Sequence, residues 1–193
     1  MTDDARGVVL VSGSAGSGTA DAVAQAGVVS SGMTKPTWLL PDASLIVGSP
    51  SLARQRHLED LRAATLRAHT IVLVSPLHWY FLAAPAKAYL DCWGEWMAEP
   101  KRPFRRQMPG VRLALVCTRG RGSMHDVEPL VGALTRLTEY MRMSWMGTLA
   151  VTSAEGRQAF AGGLRPEDVE WFAGLAVDPA PAGVSRASEL ALP

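Results

Sequence analysis

The feature that most narrows the possible folds is a set of short, apolar-rich runs at residues 8–11, 71–75, 112–117 and 145–151, with a weaker one at 37–40. Continuous apolar runs of this length mark strands covered on both faces, as in a parallel sheet sandwiched by helices. Segments of helical period lie between them. Residues 19–26 are alanine-rich, and residues 52–68 carry Leu58, Leu61 and Leu66 among charges. Residues 82–97 line up Leu82, Ala86, Tyr89, Leu90, Trp93 and Met97, and residues 127–142 repeat Leu130, Leu134, Leu137 and Met141. Each set recurs at the spacing of one helix face. A last helix, at 166–176, opens on Pro166, which suits a first helical position. Strand and helix alternate throughout. The order predicts an α/β fold: a doubly wound, five-stranded parallel sheet with helices on both faces and right-handed crossovers.

The length of 193 residues fits one domain, placed at residues 1–177, with an alanine- and proline-rich tail at 178–193. The tail shows no period and reads as a loose end or as an arm on a partner subunit. Lys and Arg number 19 against 18 acids, a balance that argues against a dedicated nucleic-acid binder. Two cysteines, Cys92 and Cys117, are too few for a disulfide scaffold or a four-cysteine metal site, so no metal is expected. The long uncharged stretch at 70–86 contains His78, Pro76 and Pro85. It reads as strand, loop and helix start rather than a membrane span. With no targeting segment at the start, the expected location is the cytoplasm.

Two loops carry chemistry. After the first strand comes Ser12-Gly13-Ser14-Ala15-Gly16-Ser17-Gly18-Thr19, with a helix immediately following. Glycines let backbone N–H groups turn inward, hydroxyls add donors, and the helix N-terminus adds positive potential, so the loop predicts an anion cradle. No Lys-Ser/Thr pair follows the last glycine, and the G-x-G-x-x-G spacing is absent, so it is neither a P-loop nor a dinucleotide fingerprint. The same composition also serves an ordinary flexible turn. After the third strand comes Ser75-Pro76-Leu77-His78-Trp79-Tyr80-Phe81, a loop whose rings offer faces for a flat heterocycle. Those rings would serve equally under a neighbouring loop or in a subunit contact. Together the two loops favour a flat, phosphorylated cofactor at the carboxyl edge of the sheet.

With these residues in view, the chain resembles the flavodoxin-like NAD(P)H-dependent FMN reductases, which include flavin and quinone reductases. The resemblance rests on the Gly13-Ser14 to Gly18-Thr19 loop and on Ser75-Pro76-Leu77-His78-Trp79 followed by Lys87 to Asp91. It also rests on Val116-Cys117-Thr118-Arg119-Gly120-Arg121-Gly122, where the family has a glycine-rich third loop. The resemblance implies that Ser12, Ser14, Ser17, Gly18 and Thr19 hold the FMN phosphate. Pro76, Leu77, His78 and Trp79 would line the ring system, and Thr118, Arg119 and Gly120 would approach its pyrimidine edge. Lys87 and Asp91 are read as structural.

The implied cofactors are FMN and NAD(P)H, and the implied activity is hydride transfer through bound FMN to a small-molecule electron acceptor. His78 is the one candidate catalytic side chain, as a proton donor to the reduced acceptor, against the plainer reading that it packs beside the flavin. The family implies a homodimer. Trp93, Trp96 and Met97 would serve either a subunit contact or the core. Alternatives are a flavodoxin-type electron carrier, disfavoured by the near-neutral charge, and a flavin-free scaffold of the same fold. The scaffold reading draws on Ala15, which stands where the family often has a basic residue. Residues 101–122 hold seven basic residues and no acid. Arg119 and Arg121 should fall on the cofactor edge, where they could meet an NADPH phosphate, and Lys101, Arg102, Arg105 and Arg106 on the opposite edge.

Overall fold

A computed structural model of the chain describes residues 7–41, 45, 51–100 and 103–178. The tail beyond Asp178, and Lys101 and Arg102, lie outside the described residues. The elements in order are β1 (Gly7–Ser12), α1 (Thr19–Ser30), β2 (Thr37–Leu39), α2 (Leu52–Leu66), β3 (Ala68–His78) and β4 (Phe81–Leu82). There follow α3 (Ala84–Met97), β5 (Arg112–Arg119), α4 (Glu128–Met141), β6 (Ser144–Thr152), α5 (Ser153–Gly162) and α6 (Pro166–Ala176). Strands run β2-β1-β3-β5-β6, every pairing in that path is parallel, and β4 folds back antiparallel on β3. This is the doubly wound sheet expected, with one hairpin added.

Alternation along the strands divides the interior into two layers. Val9, Val11, Ile71, Leu73, Leu113, Leu115 and Cys117 face one layer, with Leu61, Tyr89, Trp93, Phe104 and Leu130. Val8, Leu10, Val72, Val74, Ala114 and Val116 face the other, with Val23, Phe172 and Leu175. Trp93 and Trp96 are buried in an edge-to-face cluster with Tyr89 and Phe104, centroids 5.1–6.2 Å apart. These tryptophans are core, so they give no support to a subunit contact; Met97 alone of that group is partly exposed. Burial pushes the Cys92 and Cys117 thiols up, to about 11 and about 12. At neutral pH both are therefore inert apolar fillers of the first layer.

The boundaries depart from expectation in instructive ways. The central strand extends from the expected 71–75 to Ala68–His78, because it is paired on both sides by β1 and β5. The next helix starts at Ala84 rather than residue 82, since Leu82 pairs with Leu77. Helix α5 has no counterpart among the helices expected from periodicity. Its start is fixed by a capping box in which Thr152 Oγ1 accepts from Glu155 N and Glu155 accepts from Thr152 N. At the other edge of the sheet, buried Arg112 donates to Thr70 Oγ1 and to the carbonyls of Gly174, Leu175 and Val177, tying the end of α6 to the sheet. Arg105 and Arg106 lie at that edge too, and Arg105 stacks 4.3 Å over Tyr140. Among the described residues no helix is long and apolar enough to cross a membrane, and no cluster of metal-binding side chains occurs.

Candidate functional site

Three loops meet at the carboxyl edge because their strands are neighbours. The register sets Ser12 of β1 beside Val74 of β3, and Pro76 of β3 beside Thr118 of β5. The loops singled out in the sequence thus converge where ligands of open α/β sheets bind.

The first loop proves to be a self-satisfied turn more than an open cradle. Ser14 to Ser17 closes a tight turn through Ser17 N donating to Ser14 O at 3.3 Å, with Ala15 and Gly16 both at positive φ (53° and 79°). Ser12 is fully buried, and its Oγ accepts from Ser14 N at 3.2 Å and Gly16 N at 2.8 Å. Gly13 N donates to Val74 O, and Gly18 N donates at 2.9 Å to the buried Asp21 carboxyl, which caps α1. Most of the inward N–H groups expected to face an anion are therefore engaged within the protein. Ser12 shapes the loop from beneath and does not present its hydroxyl to a ligand.

What remains outward fits a phosphate monoester. The first-turn N–H groups of Thr19 and Ala20 have no intrahelical acceptor. Ser14 Oγ is enclosed and has no partner, an unmet group that a ligand oxygen would satisfy. Gly18 is required beside it, since a Cβ there would collide with Ser14 Oγ. Ser17, Gly18 and Thr19 open into a cavity of about 380 Å³ completed by Ala22, Gly156 and Arg157. The opposite wall comes from α5. A Cβ at Gly156 would lie 2.6 Å from Thr19 Cγ2, so glycine there lets α5 press against the first turn of α1.

The second loop is a β-hairpin. Ser75 to His78 continues β3, His78 pairs with Phe81, and only Trp79 and Tyr80 form the turn. Both turn residues have positive φ (51° and 64°), the conformation that two-residue hairpins normally give to Asn-Gly. Bulky residues hold it only under strain. Trp79 is 93% exposed and Tyr80 55%. The hairpin is held from inside by Ser75, fully buried, whose Oγ accepts from Ala83 N at 2.9 Å and donates to Pro76 O at 2.8 Å. The same side chain abuts Gly13, whose added Cβ would meet Ser75 Oγ at 2.8 Å. Ser75 therefore braces the hairpin and packs against the start of the first loop. The sequence motif contained it, but nothing in the motif revealed that role. His78 is exposed at the hairpin's end, and Lys87 and Asp91 form an exposed ion pair on α3.

In the third loop, Thr118 is buried and Arg119 ends β5. Arg119 donates to Gly122 O, closing the loop on itself, while its Nε is enclosed without a partner. Arg119 also lines a cavity of about 500 Å³ with Glu155, Arg165 and Asp168. The Thr152 backbone N–H holds the Glu155 carboxyl below the usual carboxylate range.

Comparison with known proteins agrees with this fold. A model of the family described as flavodoxin-like fold matches residues 42–168, well over half of the chain. The chain belongs to that flavodoxin-like fold family. One curated relative, from Bacillus subtilis (strain 168), is provisionally named NAD(P)H-dependent FMN-containing oxidoreductase YwqN. It is 25% identical over 84 residues, which cover 42% of this chain and 46% of the relative, so the match spans about half of that protein's length. Among solved structures, the Trp repressor binding protein from Bacillus subtilis superposes with a TM-score of 0.64 at 19% identity, over 81% of this chain and 96% of that one. The apo form of an NADH:FMN oxidoreductase (EMOB) gives 0.60 at 16% identity, over 90% and 91% of the two chains. At such identities the superpositions establish the fold alone.

Proposed function

We propose that the protein is an FMN-dependent oxidoreductase that uses NAD(P)H to reduce a small acceptor. The observation that carries this reading is the junction of loops on β1, β3 and β5, with an unmet serine hydroxyl on one and outward rings on the next. The curated relative and EMOB, both named as FMN oxidoreductases, support it. When bound, FMN supplies the redox chemistry, accepting hydride from NAD(P)H and passing it to a flavin, a quinone or another small acceptor.

The chain's own residues bind and orient. Ser14, Ser17, Gly18 and Thr19 hold the phosphate with hydroxyl and helix-terminal donors, while Ser12 keeps the loop in shape. Pro76, Leu77, His78 and Trp79 line the ring. Thr118, Arg119 and Gly120 face its pyrimidine edge, where backbone N–H groups of the loop offset negative charge. His78, exposed and within the hairpin, passes a proton to the reduced acceptor. An unaltered pH–rate profile in His78→Asn would remove that role. Arg119 meets the extra phosphate of NADPH, which predicts that Arg119→Ala narrows the preference for NADPH over NADH. The assembly is a homodimer, to be checked by light scattering.

The deciding experiment is the absorption spectrum of the purified protein mixed with FMN, repeated after anaerobic NADPH. The expected result is flavin retained on the protein and bleached by NADPH. One observation favours a second reading, a flavin-free scaffold. Asp21 sets a buried carboxyl under the helix terminus that should receive the phosphate. Protein that stays colourless in excess FMN would establish that alternative.

A further inference from the structure

We infer that Arg157, on α5, is the cation that completes the phosphate subsite of the first loop, in place of a basic residue the loop lacks. The inference rests on the FMN reading above. The loop from Gly13 to Gly18 contains no Lys or Arg, and the acid Asp21 lies beneath it. A phosphate dianion placed there would face a carboxyl with no compensating charge nearby from the loop itself. The structure supplies the compensation from the far end of the sequence. Arg157 shares one cavity with Ser17, Gly18, Thr19 and Ala22. It is brought there by Gly156, whose missing side chain lets α5 close on Thr19. Arg157 is exposed and makes no ion pair among the described residues, so its donors are available.

The enclosed, partnerless Ser14 Oγ lies behind that wall, against Gly18. A helix terminus that carries the Thr19 hydroxyl and a free guanidinium line one cavity, a donor set suited to a phosphate monoester. A guanidinium can bind two phosphate oxygens at once and so gives direction as well as charge. The ring-binding loops play no part in this contact, so Arg157 should distinguish phosphorylated flavin from its unphosphorylated form.

The test is equilibrium binding of FMN and of riboflavin, followed by quenching of flavin fluorescence, to the full-length protein. Wild type, Arg157→Gln, Arg157→Lys and the remote Arg136→Gln are compared. Arg157→Gln should weaken FMN at least about tenfold and leave riboflavin within about twofold, the loss expected for one charge-assisted contact. Arg157→Lys should keep part of the FMN affinity, and Arg136→Gln should behave as wild type. Raised salt should weaken FMN more in wild type than in Arg157→Gln. An unchanged ratio of FMN to riboflavin affinity in Arg157→Gln overturns the assignment while leaving the FMN reading intact. Wild type that binds neither flavin overturns that reading and this inference with it. Because the side chain is exposed, the substitutions leave folding intact, which circular dichroism checks.

Discussion

The loop after β1 and the hairpin after β3 stand side by side, and they are built on opposite principles. The first hides its polar groups: Ser12 and Asp21 absorb N–H groups from Ser14, Gly16 and Gly18, and only a few donors are left for a ligand. The second displays its apolar groups, holding Trp79 and Tyr80 in a left-handed turn with their rings in water. The first loop carries one left-handed non-glycine residue, Ala15, and the hairpin two bulky ones. On the FMN reading the first loop, bonded to itself, sets the anchoring point, and the more strained hairpin keeps ring surface exposed at a cost in stability that binding would recover.

That contrast can be broken at its polar end first. Ser12→Ala removes the acceptor of two N–H groups at once, and a loss of about 2–3 kcal/mol is expected, read by urea unfolding. Ser75→Ala strands one N–H, that of Ala83, and takes a donor from Pro76 O; it should cost less, about 1–2 kcal/mol. The hairpin should respond with the opposite sign. Replacing Trp79 and Tyr80 by Asn and Gly relieves two left-handed bulky residues, and a gain of about 1–2 kcal/mol is expected in the same assay. The same double variant should lose flavin affinity. If it gains no stability, the turn is not strained.

Asp21→Asn sharpens the comparison further. The amide still accepts from Gly18 N but carries no acid, so FMN should bind severalfold tighter in a fluorescence titration. Equal affinity would place Asp21 out of reach of the ligand. The smallest effect is expected at Glu155. Its folded carboxyl is depressed by the Thr152 N–H, so the capping box contributes fully above the ordinary carboxylate range and is lost as pH falls through the lower, folded value. The stability gap between wild type and Glu155→Gln should therefore be wider at pH 7 than at pH 3.

The parallel sheet was legible because buried strands advertise themselves: Val8 and Leu10 face one layer and Val9 and Val11 the other, leaving an unbroken apolar run. The placing of three loops on one edge followed from strand order alone. The hairpin was not legible, because His78-Trp79-Tyr80-Phe81 lacks the Asn-Gly turn that would announce it, and only the pairing of Leu77 with Leu82 defines it. Helix α5 did leave a signal, the Thr152-x-x-Glu155 capping box, but its alanine and glycine content gives no apolar stripe. The engaged N–H groups of the first loop were invisible, since a buried serine and a surface serine read alike in sequence. Spacing along the chain likewise gave no hint that Arg157 lies beside Thr19.

The contact of Gly156 with Thr19 has a temporal side. A ribosome delivers the serine-rich turn well before its facing helix, so during synthesis that turn waits with one wall missing. The pocket becomes whole only when α5 packs against α1, a contact between segments far apart in sequence. On the FMN reading, a nascent chain that still lacks α5 should hold the nucleotide less tightly than the full chain.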